Sequence, residues 1–317
     1  RIQKAHFAVN SIKMSEKRKM PAAPFTTSSL QQEASRKLGF TTAKTMQVVQ
    51  QLYERIYKEN KYPDLWFYWD GKPLLLYNAD PVHDANGGHS AYKDGKHDYS
   101  DEVKNFFTLR NMWWGYYEWA GKRFIGTEDN WSFGYSMADS RIKSMTPEQL
   151  ASKHDGKIEE AAVTPAQHPV TMTDVPMGVG KSWSKRDGEP KLNEYDLPDS
   201  AYVPWLDRKV SDPEGYGIYF QERWDDALAA NPQFLYLNDW NEWTAGKYNG
   251  DVMWLGRKNP FMFVDQYNAE FNRTIQPMKG GYTDNYYMQM AQNIRRYKGV
   301  RPVPVNRHIH KNLRIYS

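Results

Sequence analysis

The chain has 317 residues, of which 40% are apolar, so its composition supports a hydrophobic core and excludes global disorder. It contains no cysteine, which excludes disulfides, thiolate catalysis and cysteine-ligated zinc. The formal net charge is +4, but residues 1–20 carry +5 and the remainder carries −1. A weak attraction to polyanions, nucleic acid included, is therefore expected from this basic N-terminal arm rather than from the rest of the chain.

Residues 1–54 differ in composition from the rest of the chain and show helical patterns. Capping residues within 26–29 precede an apolar stripe formed by Leu30, Ala34 and Leu38, and Gly39 is placed to end this helix. A second helical pattern starts near Thr41. Together they predict a helical hairpin, for which a packing or linker role is the simplest interpretation.

This hairpin segment resembles a known family. Pro24–Ser28, Leu30–Ala34 and Arg36–Phe40 are similar to a segment of bacterial type IA topoisomerases. In that family the segment lies shortly before the catalytic tyrosine, within a Tyr-Met-Arg-Thr context. That context does not occur after it here, and the family's acidic metal-binding domain is not recognised within these 317 residues, so we expect no topoisomerase chemistry from them.

From residue 62 onward, short apolar runs predict strands with polar residues after them. Lys72–Tyr77 comes after an Asp-Gly turn, and Asp80 stands beyond its end as a candidate carboxylate. Asn105–Arg110 is a second apolar stretch, and its Arg110 and the nearby Trp113 either reach a pocket or close the rim of a barrel. A weaker strand at Glu160–Pro165 leads to His168, which either binds ligand or is satisfied by backbone groups.

The most informative stretch is Phe234–Gly246, an apolar run between a predicted helix at Gln221–Ala230 and another at Asn285–Tyr297. Its end is polar and aromatic: Asp239, Trp240, Asn241, Glu242 and Trp243. Functional groups gather past the carboxyl ends of parallel strands, and a carboxylate between indoles has a raised pKa suited to proton transfer. The alternative is a strand end whose Glu242 only pairs with an arginine.

Asn241-Glu242-Trp243 also resembles the signature of the barrel superfamily around glycoside hydrolase family 99, and the similarity covers most of residues 57–304. The resemblance implies a (β/α)8-type barrel of the α/β class. Its first strands are missing, because the helical hairpin segment occupies their place. It also implies an α-linked glycan as substrate, with no metal and no other cofactor. Characterised members carry a second Glu three residues later, where this chain has Ala245.

The leading prediction is a glycoside hydrolase that acts on an oligosaccharide or polysaccharide. Glu242 is the predicted acid/base or stabilising carboxylate, with Asp80, Asp239 or Glu128 as its partner. The predicted substrate-binding residues are Trp240, Asn241, Trp243, Trp113, Arg110 and His168. Two alternatives stay open: a non-catalytic carbohydrate-binding barrel, and a nucleic-acid-binding remnant that uses the basic arm.

The sequence divides into three predicted regions: a basic, topoisomerase-like segment at 1–54, a barrel at 55–304 and a tail at 305–317. The junction of two unlike resemblances indicates a chimera, whether by gene fusion, by assembly artefact or by design. The glycosidase-like relatives imply an extracytoplasmic location, although no signal peptide is visible. No apolar run is long enough to span a membrane, so no membrane partner is predicted.

Overall fold

The computed structural model describes residues 53–77, 101–119, 122–137, 139–167, 180–183, 185, 191–195, 197–243, 253–254, 257–258 and 263–299. The chain divides into two structural units, residues 1–67 and 68–317. The described part of the first unit contains a π-helical turn at Tyr53–Tyr57 and a 3₁₀ turn at Pro63–Leu65. Most of the predicted helical hairpin lies outside the described residues.

The second unit mixes short strands with five described helices. The strands are β1 (Tyr68–Trp69), β2 (Lys72–Tyr77), β3 (Thr108–Trp113), β4 (Glu118–Trp119), β5 (Lys122–Arg123), β6 (Asn130–Ser132), β7 (Ser152–His154), β8 (Lys157–Val163), β9 (Ala201–Val203), β10 (Arg208–Val210), β11 (Phe234–Leu237), β12 (Met253–Trp254) and β13 (Arg257–Lys258). The helices are α1 (Asp101–Phe106), α2 (Ser140–Lys143), α3 (Pro147–Leu150), α4 (Ile218–Ala230) and α5 (Asn285–Tyr297). Short 3₁₀ turns lie at Pro204–Leu206, Pro213–Tyr216 and Val264–Gln266.

Parallel pairing organises the larger sheets. One sheet has the order β1-β2-β3-β6, in which β2, β3 and β6 run parallel and β1 is antiparallel to β2. A second sheet has the order β11-β8-β7, in which β11 is parallel to β8 and β7 is antiparallel to it. The described residues thus pair five strands in two parallel sets, and the eight-stranded barrel stays a prediction.

Two hairpins at the amino ends of parallel strands have the same turn. The β1–β2 turn is Asp70-Gly71 and the β7–β8 turn is Asp155-Gly156, and all four residues have positive φ. Positive φ at both central residues is the geometry of a type I′ turn, which Asp-Gly adopts readily. Both aspartates approach the His154 ring, with Oδ2 to Nε2 distances of 3.9 Å for Asp70 and 3.8 Å for Asp155.

The core beside the candidate site forms where helix α4 packs on strand β8. The apolar face of α4 presents Phe220, Trp224 and Ala227, all buried, to Ala161 and Val163 of the strand. Such a stripe at helical spacing stabilises the helix through burial rather than propensity. Helix α4 starts at 218, earlier than predicted, and helix α5 and strand β2 have their predicted bounds.

The described helices α4 and α5 have 13 residues each. In the described part of the chain, no helix combines the length and apolar character that a membrane span needs.

Candidate functional site

A polar loop succeeds strand β11, at the carboxyl end of its parallel pair with β8. The chain leaves the strand through a hydrogen bond from Asn238 N to Val163 O at 3.0 Å. Asp239 then turns into the left-handed region with a φ of 69°. The carbonyl of Trp240 accepts from the backbone N–H groups of Ile275 and Gln276 at 3.2 and 3.0 Å. The loop is therefore held against the segment around residue 275.

Four charged residues converge there, and we name them the β11 cluster: Asp239, Glu242, Asp265 and Arg273. Asp265 is buried, and its carboxylate accepts from Arg273 N at 2.9 Å, from Thr274 Oγ1 at 2.8 Å and from Glu242 N. Glu242 Oε2 in turn accepts from the guanidinium of Arg273. Asp265 therefore fixes the backbone on both sides of the Glu242–Arg273 ion pair.

Asp239 differs from its neighbours in this cluster. Its side chain is 5% exposed, and neither carboxyl oxygen accepts a hydrogen bond within the part of the chain that the structure describes. Burial raises the pKa of Asp239 well above its ordinary value, and the negative charge of nearby Glu242 adds to the rise. Both effects favour the protonated form of this carboxyl group over the ionised form.

A second buried network lies around Lys181 and Glu270. The Nζ of Lys181 donates to Tyr282 Oη at 2.7 Å and lies 3.9 Å from the ring centroid of Tyr286. Glu270 Oε1 accepts from the backbone N–H groups of Lys181 and Ser182, both at 3.0 Å. These contacts hold the 180–183 loop against the segment that carries Glu270.

Burial shifts the pKa of both ionisable groups in this network in the direction that favours the uncharged side chain. Burial lowers the pKa of Lys181 well below its usual range, although Asp265 and Glu270 oppose the shift. Burial raises the pKa of Glu270 to about 7, although hydrogen bonds from Ser182 oppose the rise. Groups shifted in this way are suited to proton transfer or to ligand binding, but buried structural networks show the same shifts.

A third network lies at the amino ends of the parallel strands. Arg110 of β3 binds Glu159 of β8 through two hydrogen bonds of 2.6 Å. The same carboxylate accepts the indole N–H groups of Trp69 at 2.6 Å and Trp131 at 2.7 Å. Arg110 also contacts Asp70 Oδ2 at 2.9 Å. The contacts of Arg110 thus lie within this network, separate from the β11 cluster.

The other predicted site residues have varied surroundings. Trp240 is 50% exposed, and its ring meets Tyr287 edge-on with centroids 6.1 Å apart. Asn241 Nδ2 and Trp243 Nε1 both donate to Gln276 Oε1, at 2.6 and 3.3 Å. Trp113 ends strand β3 and meets Phe133 edge-on. Asp80 and His168 lie outside the described residues.

The sequence pattern indicated Asp239 and Glu242 as neighbours, but it missed the other charged residues of the β11 cluster and of the Lys181–Glu270 network. Asp265, Arg273, Lys181 and Glu270 lie in segments without helical or strand periodicity, and their contacts span long separations. Glu159 did carry a local signal, because a charged residue just before the apolar end of a buried strand requires a partner. Within the described ranges, no group of three or more His, Asp or Glu side chains is arranged to hold a metal ion.

Comparison with known proteins identifies a similarity in the N-terminal region. The family described as DNA topoisomerase matches residues 1–63. DNA topoisomerase 1 of Xylella fastidiosa (strain Temecula1 / ATCC 700964) is 56% identical over 59 residues, and that of Streptomyces coelicolor is 54% identical over 56 residues. DNA topoisomerase 1 of Rickettsia felis is 48% identical over 56 residues. No solved structure matches the chain.

Each match covers only a small part of this chain and a small part of the relative. Each of these alignments covers 18% of this chain and 6–7% of the relative. The predicted resemblance to bacterial topoisomerases is confirmed for the N-terminal segment, and it extends to residue 63.

The prediction of a glycoside hydrolase with an oligosaccharide partner is wrong. The family match and these relatives are DNA topoisomerases, which by name act on DNA, and none of these matches supports a family 99-like barrel. The prediction depended on short sequence motifs within residues 57–304, Asn241-Glu242-Trp243 among them, and short motifs of this kind also arise by chance in unrelated proteins. The roles of the individual site residues stay untested predictions.

Proposed function

We propose that this chain binds DNA through residues 1–63. The observation that carries the proposal is the topoisomerase match over those residues, with 48–56% identity to three relatives from different bacteria. The proposal is limited to binding, because the match covers 6–7% of the relatives' length.

The charge distribution supports the same proposal. Residues 1–63 contain twelve Lys and Arg residues and four Glu residues, a net charge of +8, so the remaining residues carry −4. Phosphate contacts supply most of the non-specific affinity of proteins for DNA, and each contact releases condensed counterions. A segment with this charge is therefore attracted to the DNA backbone, while the remainder of the chain is not.

The test is a salt titration of DNA binding by the full chain, measured by fluorescence anisotropy of a labelled oligonucleotide duplex. The variant K17A/R18A/K19A removes three adjacent charges from the basic arm. If all three contact phosphates, the slope of log K against log salt decreases in magnitude by about 2.7, at about 0.9 per contact.

A matched control removes three exposed charges from the second unit, in the variant K122A/R208A/K209A. We expect this variant to keep the wild-type affinity and salt slope, because its charges lie outside the matched segment. Equal losses in both variants would show a diffuse attraction to the whole chain and would refute the proposal. An absence of binding at low salt would refute it as well.

A further inference from the structure

The carboxyl group of Asp239 has no donor among the described residues. It is 5% exposed, and both of its oxygens accept no hydrogen bond there. A buried carboxylate that accepts no hydrogen bond destabilises a fold. Such a carboxylate is therefore well placed to accept a hydrogen bond from a ligand. The group also lies directly beyond the end of a parallel strand, where α/β proteins commonly bind ligands.

The charges around Asp239 indicate what kind of ligand fits. The β11 cluster contains three carboxyl groups and one guanidinium, and that guanidinium pairs with Glu242. Asp265 already accepts hydrogen bonds from Arg273, Thr274 and Glu242. What the cluster lacks is therefore a positive charge that carries hydrogen-bond donors.

The buried amine of Lys181 does not fill this role. Its Nζ donates to Tyr282 Oη at 2.7 Å and lies between two tyrosine rings, 3.8 and 3.9 Å from their centroids. Its Nζ also donates to Asn272 Oδ1 at 3.4 Å, and Asp239 accepts no hydrogen bond from this amine.

Trp240 supplies a second feature that suits a cation. It comes directly after Asp239 and its side chain is 50% exposed. The face of an indole attracts alkylammonium and guanidinium ions, and the attraction strengthens where water is excluded. An indole that is half-exposed, one residue after a buried carboxyl group, thus offers a face for the alkyl part of a ligand whose charged end pairs with that group.

We propose that Asp239 binds an organic ammonium ion, whose N–H groups donate to the carboxylate while its alkyl chain lies against Trp240. This inference concerns the second unit and does not depend on DNA binding by residues 1–63. No bond between heavy atoms is broken; the ligand pairs with the ionised carboxylate, so a protonated Asp239 releases its proton to solvent when the ammonium ion binds. Binding therefore exchanges a proton for the ligand's positive charge.

This exchange makes binding depend on pH in a defined direction. The ligand binds the ionised carboxylate, so affinity rises with pH and levels off above the pKa of Asp239, which burial has raised. Below that pKa, affinity decreases about tenfold for each pH unit. The charges that face the carboxyl group are Glu242, Arg273 and Asp265 of the cluster and Lys181.

The experiment uses the full chain and n-butylammonium chloride as the probe, with titration calorimetry and tryptophan fluorescence between pH 6 and 9. We expect saturable binding that tightens with pH, and no binding of n-butanol, which has the same alkyl chain without the charge. The variant Asp239→Asn is expected to weaken binding at least tenfold. The matched control Asp225→Asn removes an exposed carboxylate that pairs with Arg296, and it is expected to bind normally.

The proposal is overturned if the folded wild-type chain shows no saturable binding at any pH, or if the Asp239→Asn variant binds as the wild type does. A second variant keeps the test decisive if Asp239→Asn does not fold. Trp240→Ala removes a half-exposed ring, so its melting temperature is expected to fall only slightly while affinity decreases several-fold. Unchanged affinity in this variant also contradicts the proposed site.

Discussion

Replacement of Glu159 by leucine is expected to destabilise the second unit strongly. Its carboxylate accepts two hydrogen bonds from Arg110 and one from each of the indoles of Trp69 and Trp131, all at 2.6–2.7 Å. Leucine leaves a buried guanidinium without its main partner, which costs about 3–5 kcal/mol. Two indole N–H groups also lose their acceptor at about 1 kcal/mol each, although part of this overlaps with the first effect.

We therefore expect the free energy of unfolding to fall by about 4 kcal/mol, within the range for a broken buried ion pair. In a unit of 250 residues this lowers the melting temperature by roughly 8–16 °C, at about 2–4 °C per kcal/mol. Calorimetry and urea denaturation measure the two quantities. The exposed Glu128 provides the matched control, and Glu128→Leu is expected to change stability by no more than about 1 kcal/mol.

The double variant Arg110→Met with Glu159→Leu separates charge from packing. Replacing both partners removes the unpaired guanidinium, so stability is expected to recover by several kcal/mol relative to Glu159→Leu alone. A loss below about 1 kcal/mol in the single variant would refute the reasoning, since it would mean that water or another carboxylate replaces Glu159. A double variant no more stable than the single one would show that packing, rather than charge, determines the effect.

Two further substitutions test other contacts. A Cβ at Gly180 would lie 1.9 Å from Glu270 O, so Gly180→Ala is expected to lower the free energy of unfolding by at least about 1–3 kcal/mol. Gly215→Ala serves as the control, because the space around its Cβ is open. Equal melting temperatures for the two variants would contradict the close approach at Gly180. The folded-state pKa of Glu270, raised to about 7, means that its contribution to stability is present below pH 4.5 and lost as pH rises through 7. Glu270→Gln is expected to flatten the pH dependence of the melting temperature in that window, and an unchanged slope would contradict the shift.

The sequence predicted correctly those helices and strands that are defined by residues within the element itself or directly beside it. Helix α5 and strand β2 have their predicted bounds because apolar spacing and, for β2, the Asp-Gly turn lie within a few residues of each end. The apolar stretch 105–110 was less well predicted, since it contains the end of helix α1 at Phe106 and the start of strand β3 at Thr108. Composition alone does not separate a helix end from a strand start at that length.

The candidate site was predicted only in part, for a physical reason. Glu242 could be predicted as the possible partner of an arginine, but not of Arg273, which lies 31 positions later in the chain. Asp265, which holds both, is in a 3₁₀ turn that no periodic pattern marks in the sequence. Long-range ion pairs depend on how the strands are arranged in space, and a single sequence does not encode that arrangement in any short window.

The parallel pairing of β8 with β11 has a consequence for the order of folding during synthesis. Glu160 pairs in register with Phe234, 74 positions later, whereas the β7–β8 hairpin closes over a two-residue turn. The hairpin can form as soon as it leaves the ribosome, but one edge of β8 stays unpaired until β11 has emerged. At about 5–20 residues per second this interval is on the order of 4–15 seconds. During it, the exposed edge of β8 is the segment of this sheet that is most open to pairing with another nascent chain.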